Sequence, residues 1–107
     1  MALSEQEFRI KSDEALQQAR RALMSLADDD TGFELELQNG VLNLVFEEPS
    51  ETKFVVSPNA PVRQIWVSAM GKSYKLGWLP EQSAFAINGE TLSQLLDRLT
   101  RTFLGKR

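Results

Sequence analysis

The sequence predicts an α+β fold, a two-layer sandwich whose N- and C-terminal helices pack on one face of a five- to six-stranded antiparallel sheet. Two capping boxes, Ser4 with Glu7 and Thr91 with Gln94, open helix-period segments near the two ends of the chain. Between them, apolar residues recur at every second position in short runs separated by turn residues. With 107 residues, there is room for one core and one domain, residues 1–107.

The first helix starts at Ser4, with Leu3 and Phe8 placed to form a hydrophobic staple across the cap. At helical spacing Ser12, Ala15, Ala19, Ala22, Leu23 and Leu26 share the side of Phe8, while Asp13, Gln17, Arg20, Arg21 and Met24 lie opposite. Asp28-Asp29-Asp30-Thr31-Gly32 ends the helix, because turn-forming residues follow one another and negative charge opposes the C-terminal dipole. The period then becomes two. Phe33, Leu35 and Leu37 alternate with Glu34, Glu36 and Gln38, and after Asn39-Gly40, a strong hairpin signal, Leu42, Leu44 and Phe46 continue the pattern.

A third strand spans Thr52 to Ser57, and Pro58 and Pro61 bracket a connection whose prolines have no N–H to donate to a ladder. A fourth runs from Arg63 to Ala69. Gly71-Lys72 turns the chain into a fifth strand, Tyr74-Leu76-Trp78, and Phe85 with Ile87 marks a short sixth. Asn88-Gly89-Glu90 is a turn. The last helix buries Leu92, Leu95, Leu96, Leu99 and Phe103, sets Arg98 and Arg101 toward its C-terminal dipole and stops at Gly105.

Composition excludes several kinds of chemistry. With no Cys and no His, the chain has no disulfide, no thiolate or imidazole nucleophile and no zinc or iron-sulfur site built on those ligands. A haem, a zinc ion and a bound iron-sulfur cluster are accordingly not expected. A formal net charge of −3 disfavours nucleic acid as a partner. No stretch is long and apolar enough for a membrane span, and the N-terminus lacks the pattern of a secretory or transit peptide, so a cytoplasmic monomer is expected. The charge is uneven: residues 1–36 hold nine acids against four bases, and the rest six against eight.

Two sets of residues are candidates for function. Asp13, Glu14, Asp28, Asp29, Asp30, Glu34 and Glu36 gather acidity at one corner, and Glu34 and Glu36 project about 7 Å apart from one strand face. Such oxygen-only ligands suit weak binding of a hard cation or contact with a basic partner, whereas a solvated acidic face is the ordinary use of such a run. The second set is Trp66 with Gln64 and Ser68. If Ile65, Val67 and Ala69 face the helices, alternation puts the indole on the open face as a protein-contact anchor; a slip of one residue would bury it. Trp78 and Tyr74 share the phase of Leu76 and are assigned to the core. Gly71-Lys72-Ser73 lacks the earlier glycine and following helix of a phosphate loop.

Pro61-Val62-Arg63-Gln64-Ile65-Trp66-Val67-Ser68 resembles the P-x-x-Q-[IVL]-W-[LV]-[AS] strand of the frataxin family, in its bacterial CyaY-like branch. Phe8, the acidic run into Phe33-Glu34-Leu35-Glu36, the Asn39-Gly40-Val41-Leu42 hairpin, Tyr74, and Asn88-Gly89-Glu90-Thr91-Leu92 follow in family order. The resemblance implies a frataxin-like sandwich acting in iron-sulfur cluster assembly. It further implies weak surface binding of iron (Fe2+ or Fe3+) through Asp13, Glu14, Asp28, Asp29, Asp30, Glu34 and Glu36. Docking on the cysteine desulfurase and scaffold proteins, with regulation of the desulfurase, is implied through Gln64, Trp66, Ser68, Glu34 and Glu36.

No catalytic residue is expected. Ferroxidase-like iron oxidation is the lesser alternative, and an adaptor that binds no iron is another. Three departures from the family pattern stand out. Arg20, Arg21, Met24 and Ser25 occupy helix positions where acids are usual, Ser57-Pro58-Asn59-Ala60-Pro61 lacks the basic residue usual in the loop before Gln64, and no tryptophan stands near Phe85.

Overall fold

In the computed structural model, which describes residues 3–29, 33–48 and 50–105, the chain folds as helix, sheet, helix. The first helix, α1, spans Glu5–Asp29. Its cap forms as the sequence predicts: the Ser4 amide donates to Glu7 Oε1 at 3.0 Å and the Glu7 amide to Ser4 Oγ at 3.1 Å. The Ser4 amide is the main reason the Glu7 carboxyl is held below its ordinary pKa, with the Ser4 hydroxyl and the Lys11 charge acting the same way.

The buried line of α1 is Phe8, Ser12, Leu16, Ala19, Leu23 and Leu26. It is rotated from the predicted stripe: Ala22 is exposed and Leu16 takes a core position instead. Phe8 lies at the edge of the stripe, so centring the helix on it excluded the leucine one step round the axis.

The strands are β1 (Phe33–Gln38), β2 (Val41–Phe46), β3 (Thr52–Asn59), β4 (Gln64–Ala69), β5 (Lys72–Leu79), β6 (Ala84–Ile87) and β7 (Glu90–Thr91). They form one antiparallel sheet in sequence order. This is seven strands where five or six were expected. The seventh has only two residues, and it exists because Asn88 and Gly89, with φ of 51° and 82°, make a tight hairpin that pairs Ile87 with Glu90. Asn39-Gly40 and Met70-Gly71 turn the chain in the same way, with positive φ at both residues. Lys72 accordingly belongs to β5 and not to a turn.

β3 runs through Pro58, which pairs with Ile65. Its register with β2 ends at Val56 opposite Leu42, so Pro58 has a sheet neighbour only on the β4 side and the missing N–H can face away from the ladder. A 3-10 turn, Ala60–Val62, ends in Arg63 at φ 54°. The Arg63 guanidinium donates to the Ala60 carbonyl and to Leu3 O, the latter at 3.2 Å, which ties the start of the chain to the entry of β4.

α2 spans Leu92–Leu104 behind a complete capping box, Thr91 amide to Gln94 Oε1 at 2.9 Å and Gln94 amide to Thr91 Oγ1 at 3.4 Å, and ends at Gly105 with φ 76°. Both helices cover one sheet face. Phe46 centres that core, 4.7 Å from both Phe54 and Phe103 and 5.1 Å from Phe33, while Phe8 meets Phe85 edge-on at 5.6 Å. Tyr74 and Trp78 pack against the same core, as their phase with Leu76 requires.

Candidate functional site

Among the described residues no element covers the other face of the sheet. Alternation fixes what stands on it: Glu34, Glu36 and Gln38 from β1, Val41, Asn43 and Val45 from β2, Lys53, Val55 and Ser57 from β3, Gln64, Trp66 and Ser68 from β4, and Ser73 and Lys75 from β5. Trp66 is 36% exposed, while its strand neighbours Ile65 and Val67 are sealed among the helices. Its indole Nε1–H donates to Gln64 Oε1 at 2.9 Å, and Lys75 Nζ lies 4.9 Å from the ring centroid. Strand pairing puts Trp66 beside Lys75 and Ser68 beside Ser73. Gln64, Trp66 and Ser68 therefore form one patch.

Glu34 and Glu36 are exposed on this same face, at its edge strand. The row Glu36, Asn43, Val55, Ser68 crosses from β1 to β4, which sets the carboxylate about 14 Å from Ser68 at the usual strand spacing. Acids and indole thus share one surface. Around Val45 a shallow depression is lined by Glu36, Glu47, Glu51 and Lys53.

Asp13 and Glu14 do not join that corner. Asp13 sits near the β1–β2 hairpin tip, lining a groove with Gly40, and accepts a hydrogen bond from Gln17 Nε2 at 2.9 Å. Glu14 faces a separate cleft of about 330 Å³ between the helices and the β5–β6 turn, with Lys11 Nζ 3.7 Å from its Oε1. The side chains of Asp28 and Asp29, and the whole of Asp30, lie outside the described residues. Fifteen residues of helix separate Asp13 from Asp28, about 22 Å of rise, so these two positions stand far apart along α1. Among the described residues no three carboxylates converge on a point that could hold a metal ion. Arg20 and Arg21 are exposed on the polar side of α1, between positions 13 and 28.

A model of the frataxin-like domain matches residues 1–106. The chain belongs to the frataxin family. Among its relatives, the iron-sulfur cluster assembly protein CyaY of Ectopseudomonas mendocina is 32% identical over 104 residues, 94% of this chain and 88% of that protein. The protein of the same name from Pseudomonas aeruginosa is 35% identical over 78 residues, 69% of this chain and 70% of its own. A solved structure of frataxin from Psychromonas ingrahamii superimposes with a TM-score of 0.69 over 97% of this chain and 94% of that one, at 13% identity, a likeness of fold. Among the described residues no helix is long and apolar enough to cross a membrane.

Two features of this frataxin-family surface escaped the sequence reading. Lys75 supplies a cation beside Trp66 from the neighbouring strand, where Ser57-Pro58-Asn59-Ala60-Pro61 supplies none. Its signal is the Met70-Gly71 turn, which sets the register that puts position 75 opposite 66. Glu47 and Glu51 are the second feature. They stand beside Glu36 because β2 ends and β3 begins next to the acidic edge.

Proposed function

We propose that this chain is an accessory regulator of iron-sulfur cluster assembly, located in the cytoplasm and acting through surfaces with no catalytic residue of its own. The observation that carries the reading is Trp66 standing on an uncovered sheet face that also presents Glu34 and Glu36, in a domain of the frataxin family. Relatives across nearly the whole chain bear the name iron-sulfur cluster assembly protein. On this reading Gln64, Trp66 and Ser68 enter the contact with the desulfurase and scaffold proteins, and Glu34 and Glu36 meet a basic part of the same assembly. Iron is cargo here, held weakly by carboxylates among Asp13, Glu14, Asp28, Asp29, Asp30, Glu34 and Glu36. Among the described residues the exposed oxygen ligands do not converge, which leaves most of a coordination shell to water.

The deciding measurement is sulfide production by the cognate cysteine desulfurase with and without this protein, each with and without ferrous iron. A change in rate on adding the wild type, lost in a folded Trp66→Ala variant, is the expected result; an unchanged rate removes the assignment. That no three carboxylates converge among the described residues also supports a second reading, an adaptor on the same assembly that binds no iron. Amide NMR separates the two. Under the first reading, peaks from Asp28 to Glu36 move at millimolar ferrous iron; under the second they stay fixed while the desulfurase effect persists.

A further inference from the structure

We propose that Lys75 makes the Trp66 end of the open face a receptor for a carboxylate-bearing protein segment, so that the face selects a partner of opposite polarity at its two ends. This rests on the docking reading above and adds the chemistry of what docks. The charges on the face are Glu34 and Glu36 on β1, Lys53 on β3 and Lys75 on β5. Among the described residues none of the four lies within ion-pair distance of an opposite charge. The face is therefore negative at β1 and positive at β5, four strand spacings or about 19 Å apart, with Lys53 the one charge among the described side chains of the strands between them.

At the positive end the geometry is specific. The Trp66 N–H is already taken by Gln64, so the indole offers a partner its apolar surface and no free donor. The Lys75 ammonium is held against that ring at 4.9 Å and keeps its own donors for an incoming acceptor. A carboxylate carried beside an apolar side chain fits both groups at once. An anionic membrane or a nucleic acid fits poorly. Each binds through clusters of cations, and here Lys75 and Lys53 share the face with two carboxylates that would be repelled. A protein segment bearing Asp or Glu at this end, with Arg or Lys meeting Glu34 and Glu36, satisfies the whole face.

Binding of the cognate desulfurase–scaffold complex to the wild type, Lys75→Glu, Lys75→Met and Lys75→Arg chains, each checked for an unchanged thermal melt, tests this. The expected result is about a tenfold loss for Lys75→Glu, a smaller loss with flattened salt dependence for Lys75→Met, and near wild-type binding for Lys75→Arg. Wild-type affinity in both Lys75→Glu and Lys75→Met overturns the inference and leaves the docking reading standing. No binding by the wild type removes the docking reading instead. The inference is then decided by NMR titration with a hexaglutamate peptide. Shifts of the Trp66 indole N–H and the Lys75 amide that vanish in Lys75→Met support it, and their absence in the wild type overturns it.

Discussion

Glu90 and Arg98 show how one ionic pair can join two elements. Arg98 donates from Nε and Nη2 to the two oxygens of Glu90, both at 2.8 Å, linking β7 to the outer side of α2. The Arg98 hydrogen bonds are the main reason the Glu90 carboxyl lies below its ordinary value of 4.5, and the same bonds raise Arg98. A depressed carboxyl stabilises the fold above its unfolded pKa, and that contribution disappears as pH falls through the folded value. The pair is substantially exposed, so its worth is small. Glu90→Gln is expected to cost about 0.5 kcal/mol at pH 7, with the difference from wild type shrinking when the urea melts are repeated at an acid pH below the ordinary carboxyl range. An equal difference at both pH values would locate the effect in packing. The sequence reading had given Arg98 only to the helix dipole, because nothing in a linear pattern says that residues eight apart share a fork.

Strand β1 presents a different problem, since as an edge strand it exposes unpaired backbone groups to other chains. Glu34 and Glu36 protect it as well as serving any contact. Phe33, Leu35 and Leu37 form its other face, so replacing both glutamates would leave a strand apolar on both sides. Glu34→Val/Glu36→Val is expected to keep the monomer fold yet aggregate at concentrations where the wild type stays clear, as read by light scattering at increasing protein concentration. Equal scattering would show that the acids are not needed for solubility and would leave binding as their use. At the opposite edge β7 has two residues, too short to template pairing, and runs straight into the α2 cap.

Across the whole molecule, covering the sheet on one side only separates positions that hold the fold from positions free to touch partners. Phe46, 1% exposed among Phe33, Phe54 and Phe103, is on the first side, and Trp66 on the second. Phe46→Ala is expected to cost about 3–5 kcal/mol, and Trp66→Ala no more than about 1 kcal/mol. Chemical denaturation of both variants checks the contrast. A cost for Trp66→Ala near that of Phe46→Ala would place the indole in the core and end its role as a contact.

Fold class, the two capped helices and the hairpin at Asn39-Gly40 were determined by the sequence alone, whereas the outward phase of Trp66 needed the strand register. The first three follow from local rules, helical or two-residue periodicity, cap chemistry and positive-φ turns, that act over a few residues. The rotation of α1 toward Leu16, the two-residue β7, the strand-like Pro58, the placing of Lys75 under Trp66 and the dispersal of Asp13 and Glu14 from Glu34 and Glu36 were decided only by the tertiary structure. Those outcomes depend on which strands become neighbours and in what register. Distant residues settle that together by burying one shared core, and no local pattern encodes it.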